Sequence, residues 1–153
     1  MSAAARLKEL GLVLPNVPKP VANYVPYRLV GGFLYCSGQG PRDANGALLT
    51  GKVPTEVSVD EAYKHARLTG LGLLAVARDA LGSLDRVDRF LRVGGVVNAT
   101  PDFVDHTSVL DAASDVFVQV FGERGEHARL AVGVASLPAN IAVEVEATIA
   151  VRP

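Results

Sequence analysis

Apolar positions recur at two different spacings along this chain, and each change of spacing marks an element. Ala62, Ala66, Thr69, Leu73, Val76, Ala77 and Ala80 fall three, four or seven residues apart, so they share one face of a helix. Ser58-Val59-Asp60-Glu61 opens it as a capping box. The Ser58 hydroxyl is expected to accept from the Glu61 amide while the Glu61 carboxylate reaches back to the Ser58 amide; Gly82 is the stop. A second helix is predicted from Asp105 to Phe121, with Val109, Ala113, Val116, Phe117 and Val120 on its apolar face and Gly122 beyond its end. A short helical pattern, Ala3 to Leu10, precedes Pro15, Pro18 and Pro20, whose fixed φ and missing amide donors favour extended chain. Residues 1–20 therefore read as an N-terminal arm on a single domain of residues 21–153.

The other runs are strands. Tyr24–Val30 and Phe33–Gln39 flank Gly31-Gly32, a dipeptide suited to a type I′ hairpin turn. Residues 41–54 read as a loop with room for a short strand at Ala47–Thr50. Val87–Asn98 alternates Val87, Arg89, Leu91 and Val93 against Asp88, Phe90 and Arg92, and Gly94-Gly95 predicts a bulge or a close approach. Leu130–Ser136 and Ile141–Val151 are strands around Leu137-Pro138-Ala139-Asn140. The order β-β-α-β-α-β-β predicts an α+β fold with a mixed sheet and both helices on one face. The opposite sheet face also carries apolar side chains, which predicts association with further copies.

Composition narrows the function classes. With 153 residues, 15 Lys+Arg against 16 Asp+Glu and a net charge of −1, the chain has no basic face to displace phosphate counterions, so no nucleic acid is expected. The longest nearly unbroken apolar stretch, Gly70 to Ala77, is far short of the roughly 20 residues that span a bilayer, so no membrane partner is expected. Arg6, Lys8 and Glu9 precede only Leu10 to Leu14 before Pro15, too short for a secretory apolar region. A single cysteine, Cys36, excludes an internal disulfide. A cytoplasmic protein is expected.

Few residues offer chemistry. His65, His106 and His127 lie far apart with no metal-ligand spacing, and His65 reads as a helix-surface residue. No dinucleotide or phosphate loop is present. Cys36, inside Phe33-Leu34-Tyr35-Cys36, reads as a small buried hydrophobe. Arg129 opens a strand whose same-side neighbours Ala131, Gly133 and Ala135 are all small, leaving room for a planar anion. A solvated strand-edge arginine is the alternative. Glu144 and Glu146 share a strand face opposite Val143, Val145 and Ala147. They are a wet face or, if an oligomer covers them, carboxyls whose pKa desolvation would raise toward acid/base work.

Arg129-Leu130-Ala131-Val132, Leu137-Pro138 and Val143-Glu144-Val145-Glu146-Ala147, with Tyr24 and Ser37-Gly38-Gln39, together resemble the YjgF/RidA family, the reactive intermediate deaminases also called endoribonuclease L-PSP proteins. The resemblance runs from about Tyr24 to Val151. It implies a chorismate-mutase-like fold, a homotrimer and clefts between subunits. It further implies an enamine/imine deaminase that hydrolyses 2-iminopropanoate- or 2-iminobutanoate-like acids to 2-keto acids and ammonia, without metal or organic cofactor. In those terms Arg129 pairs with the substrate carboxylate, and Glu144 positions or activates the attacking water. Tyr24, Ser37 and Gly38 line the cleft. Ala131 stands where the best-known deaminases carry a cysteine, and Thr107 is the nearest counterpart of a cleft asparagine. That departure keeps a second expectation open, a non-catalytic trimer that binds small carboxylates or 2-keto acids as a sensor or partner protein. Endoribonuclease activity, attributed to some members, fits the net charge less well.

Overall fold

A computed structural model describes all of residues 1–153. Its elements are α1 (Ala3–Glu9), β1 (Tyr27–Val30), β2 (Phe33–Gln39), α2 (Val59–Leu81), β3 (Val87–Asn98), α3 (His106–Phe121), β4 (Ala128–Val134) and β5 (Val143–Val151). The strands form one mixed sheet in the order β1-β2-β5-β3-β4, in which only β3 and β4 run parallel. This is the expected α+β architecture, with α2 and α3 packed against each other on one sheet face. The helix α1 is seated as well, because Ala3 and Leu7 are buried in the core and the Ala3 amide donates to Asp85 at 2.7 Å.

Side-chain alternation sorts the sheet into two faces. Val93 pairs with Arg129 on one side and Ala147 on the other, and Val93 and Ala147 are buried under the helices. Arg129 therefore points to the helix side of β4, an edge strand. Gly94 pairs with Leu130 and Glu146, which point to the uncovered face. That face exposes Phe33, Tyr35 and Leu130 at 40%, 49% and 50%, an apolar area without a cover inside the chain.

Helix and sheet pack tightly at Gly95, where an added Cβ would lie 2.7 Å from Leu110 Cδ1 of α3. This is the close approach that the paired glycines predict. At the far end of the sheet, Lys52 Nζ donates to Asn98 Oδ1 at 2.8 Å and to the Ala135 carbonyl at 2.6 Å, and Asn98 Nδ2 donates to Asn140 Oδ1 at 3.0 Å. Asn98 is fully buried, so this network satisfies it and ties down the turn between β4 and β5.

Several local expectations need correction. Phe90 rather than Leu91 faces the core, because register shifts between Val87 and Arg89 and between Phe90 and Arg92 break strict alternation in β3. The first strand begins at Tyr27, since the Pro26 carbonyl is already taken by the Ser37 amide outside the ladder, and Tyr24 lies before it. Residues 47–50 form only single bridges, Arg42 with Leu48 and Thr50 with Ile141. Ser58 caps α2 as predicted, accepting from the Glu61 amide at 3.1 Å, but the Glu61 carboxylate pairs with Lys64 rather than with the Ser58 amide. His65 is not a surface residue. It is 8% exposed, and its Nδ1 has no partner.

Candidate functional site

On the uncovered face, β5 carries Glu144 beside Gly38 at the end of β2. A Cβ on residue 38 would lie 2.8 Å from Glu144 Oε1, so only glycine leaves that carboxyl its place. Gly38, Glu144, Glu146, Arg92, Gly94 and Leu130 line a cavity of about 350 Å³. Glu146 is exposed and accepts from Arg92 Nη1 at 3.1 Å. Glu144 is half-buried, and burial, aided by the charge of Glu146, pushes its carboxyl above the ordinary carboxylate value. A carboxyl shifted that way gains the proton affinity a general base needs near neutral pH.

The helix side of the edge strand holds Arg129. Its side chain is 18% exposed, and its Nη1 lies 2.9 Å from Asp111 Oδ1 and 3.0 Å from Ser114 Oγ, both on α3. Ala131 follows on the same side, half-buried against the core. The solvated-edge alternative for Arg129 does not describe this geometry, since the guanidinium is mostly enclosed and held by two partners. Asp111, Ser114 and His127 around it were missed by sequence reasoning. The spacing of Asp111 and Ser114 on one helix turn was visible, but which strand that turn would face was not.

Arg129 and Glu144 are thus on opposite faces, with β3 between their strands. Within one chain they therefore do not form a single site. Of the other expected site residues, Gly38 meets Glu144, whereas Ser37 donates its hydroxyl to the Val25 carbonyl at 2.7 Å and so braces the chain after Tyr24. Tyr24 is 49% exposed, and Thr107 is exposed on the first turn of α3. Cys36 is buried, and burial pushes its thiol up to about 12, which makes it unreactive. No three His, Cys, Asp or Glu side chains converge as a metal site. No helix is long and apolar enough to cross a membrane. A separate cavity of about 540 Å³ between the arm, the Arg42–Gly46 loop and α2 contains none of these residues.

Two imidazoles, buried His65 and half-buried His127, add a pH dependence. Burial lowers the pKa of His65 and of His127, outweighing the Gly125 carbonyl contact that favours protonated His127. Each pKa is lower folded than unfolded, so protonation favours the unfolded chain, and stability held above about pH 6.5 is lost as pH falls below it. Glu144, with its raised pKa, works in the opposite sense. The melting temperature is expected to fall between pH 7 and pH 5, with a shallower fall in His127→Gln. An identical slope in that variant would remove His127 from the acid response.

A family model described as "YjgF/chorismate mutase-like, putative endoribonuclease" matches residues 4–148. The Trypanosoma cruzi protein TCP17 is 42% identical over 147 residues, 95% of this chain and 92% of its own. Among solved structures, Atu1372 of Agrobacterium tumefaciens, of unknown function, is 40% identical with a TM-score of 0.90, covering 99% of this chain and 93% of its own. A putative endoribonuclease from Shewanella oneidensis is 34% identical with a TM-score of 0.94, covering 99% of this chain and 100% of its own.

Proposed function

The chain belongs to the YjgF/chorismate-mutase-like family, and on that premise we propose that it hydrolyses small 2-imino acids to 2-keto acids and ammonia in clefts between the protomers of a homotrimer. The observation that carries this reading is the Glu144 carboxyl, half-buried against Gly38 with its proton affinity raised. In the reaction, water adds to the imine carbon as the Glu144 carboxylate takes its proton. That proton passes to nitrogen, giving a carbinolamine. Its hydroxyl proton is then carried by the same carboxylate to nitrogen as the C–N bond breaks, so ammonia leaves and the carbonyl forms. An imine carbon is already electrophilic, so orientation and proton transfer are the main requirements.

Arg129 supplies the orientation. Only Nη1 of its guanidinium is engaged within the chain, which leaves the edge formed by Nε and Nη2 for a carboxylate. Because Arg129 and Glu144 lie on opposite sheet faces, one substrate engages both only if the second comes as Glu144 of the partner subunit. The uncovered face, with Phe33, Tyr35 and Leu130 exposed, is the surface such an assembly buries. Light scattering at micromolar concentration is expected to return about three times the chain mass of 16.0 kDa. A monomeric mass would remove the shared cleft.

Activity is tested by generating the short-lived imine in place with a threonine dehydratase and trapping it with semicarbazide. The protein is expected to lower the trapped yield in proportion to its concentration. The second reading, a carboxylate-binding trimer without turnover, is favoured by Ala131, which puts a methyl group where the well-known deaminases carry a thiol. An unchanged trapped yield together with keto-acid binding through Arg129 would select it.

A further inference from the structure

The contacts behind Arg129 form a directed chain. Ser114 Oγ, which Arg129 Nη1 approaches at 3.0 Å, lies 2.9 Å from His127 Nε2, and His127 Nδ1 lies 2.6 Å from the Gly125 carbonyl oxygen. A carbonyl only accepts, so Nδ1 carries the ring proton. In the neutral ring Nε2 then accepts, which commits the Ser114 proton to His127 and turns the serine lone pairs toward Arg129. The donors run in one direction: Arg129 to Ser114, Ser114 to His127, His127 to Gly125. The imidazole is held by its packing, with ring centres 5.8 Å from Phe117 and 6.3 Å from Phe90. Burial lowers its pKa, which favours the neutral state this order needs.

All of the internal partners of Arg129 converge on Nη1. Asp111 takes it from one direction and Ser114 from another, while Nε and Nη2, the two nitrogens that grip a carboxylate side-on, have no partner in the chain. A free arginine side chain samples many rotamers and loses that freedom when it binds an anion. Here much of that loss has already been met by folding.

We propose that Ser114 and His127 are positioning residues that, with Asp111, clamp Nη1 of Arg129 so that its Nε–Nη2 edge is presented to a substrate carboxylate. This rests on the reading of Arg129 as the carboxylate anchor. It adds a role for two side chains that touch no substrate themselves.

The test is the affinity of the full-length protein for 2-oxobutanoate by calorimetry, with melting temperatures measured alongside. Ser114→Ala is expected to weaken binding about tenfold, the scale of one charge-assisted hydrogen bond and its alignment. Ser114→Thr keeps the hydroxyl and is expected to recover most of that loss. His127→Phe keeps a ring between Phe90 and Phe117 but no acceptor, and is expected to match Ser114→Ala. Binding that is lost in Arg129→Ala but unchanged in Ser114→Ala overturns the clamp and leaves the anchor standing. Wild-type affinity in His127→Phe removes His127 from it. Equal losses in Ser114→Ala and Ser114→Thr with lowered melting temperatures would mean a packing effect and also overturn it. A wild type without affinity, or one matched by Arg129→Ala, overturns the anchor itself.

Discussion

Glu144→Gln is expected to lower imine turnover by a factor on the order of 10² or more while changing 2-oxobutanoate affinity little. The substitution keeps the size of the side chain, so it still fits against Gly38. An amide, however, cannot take the proton from the attacking water. The loss therefore falls on the chemical step, which is the signature of an interaction made in the transition state and not in the ground state. Glu146→Gln is the matched control, because Glu146 stands on the same strand face but is exposed and spends its carboxylate on Arg92. Equal losses in the two variants would point to a shared electrostatic effect. No loss in Glu144→Gln would take that residue out of the mechanism.

Arg129→Ala is expected to abolish keto-acid binding, and Arg129→Lys to restore only part of it, since an ammonium lacks the planar fork. The stronger expectation concerns mixtures. If the two residues meet only across a subunit boundary, Arg129→Ala and Glu144→Gln chains refolded together in equal amounts should regain turnover that neither has alone. With random assembly, about a quarter of the clefts would combine an intact arginine from one chain with an intact glutamate from the next. A mixture as inactive as its components would show that both groups are needed from the same chain. The opposite-face geometry of Arg129 and Glu144 would then require a different explanation.

The helices were legible because their signals are local. Ser58 accepts from the Glu61 amide, and α2 ends before Gly82, as the spacing predicts. The succession of strands and helices and the mixed sheet were readable for a similar reason, since hairpins and crossovers follow from connection lengths, whereas the β1-β2-β5-β3-β4 order within the sheet was not. Phe90 was misassigned because two register shifts reset the inward side of β3, and such shifts leave no mark on an alternation count. His65 was misplaced because it adjoins the apolar stripe of α2, and burial there depends on how closely α3 packs. In the candidate site, Arg129, Glu144 and Gly38 could be singled out from residue type, face and resemblance. That Arg129 and Glu144 look away from each other could not, because it depends on which face of β4 meets α3. The environment of Arg129, built from α3 and from His127 just before β4, is likewise a matter of tertiary packing.

The narrow gap at Gly95 has a consequence for anyone reshaping this protein. Leu110, which fills that gap, is followed directly by Asp111, so the separation between α3 and the sheet also sets how far the carboxylate and Ser114 reach over Arg129. A methyl group at position 95 would press on the buried Leu110 side chain from the sheet side, and any shift of α3 that relieved it would loosen the grip on Nη1. Redesign for bulkier acids therefore has two handles. On the proposed reading, the walls of the cavity would decide what fits, and the thickness of the layer beneath α3 would decide how firmly the anion is held.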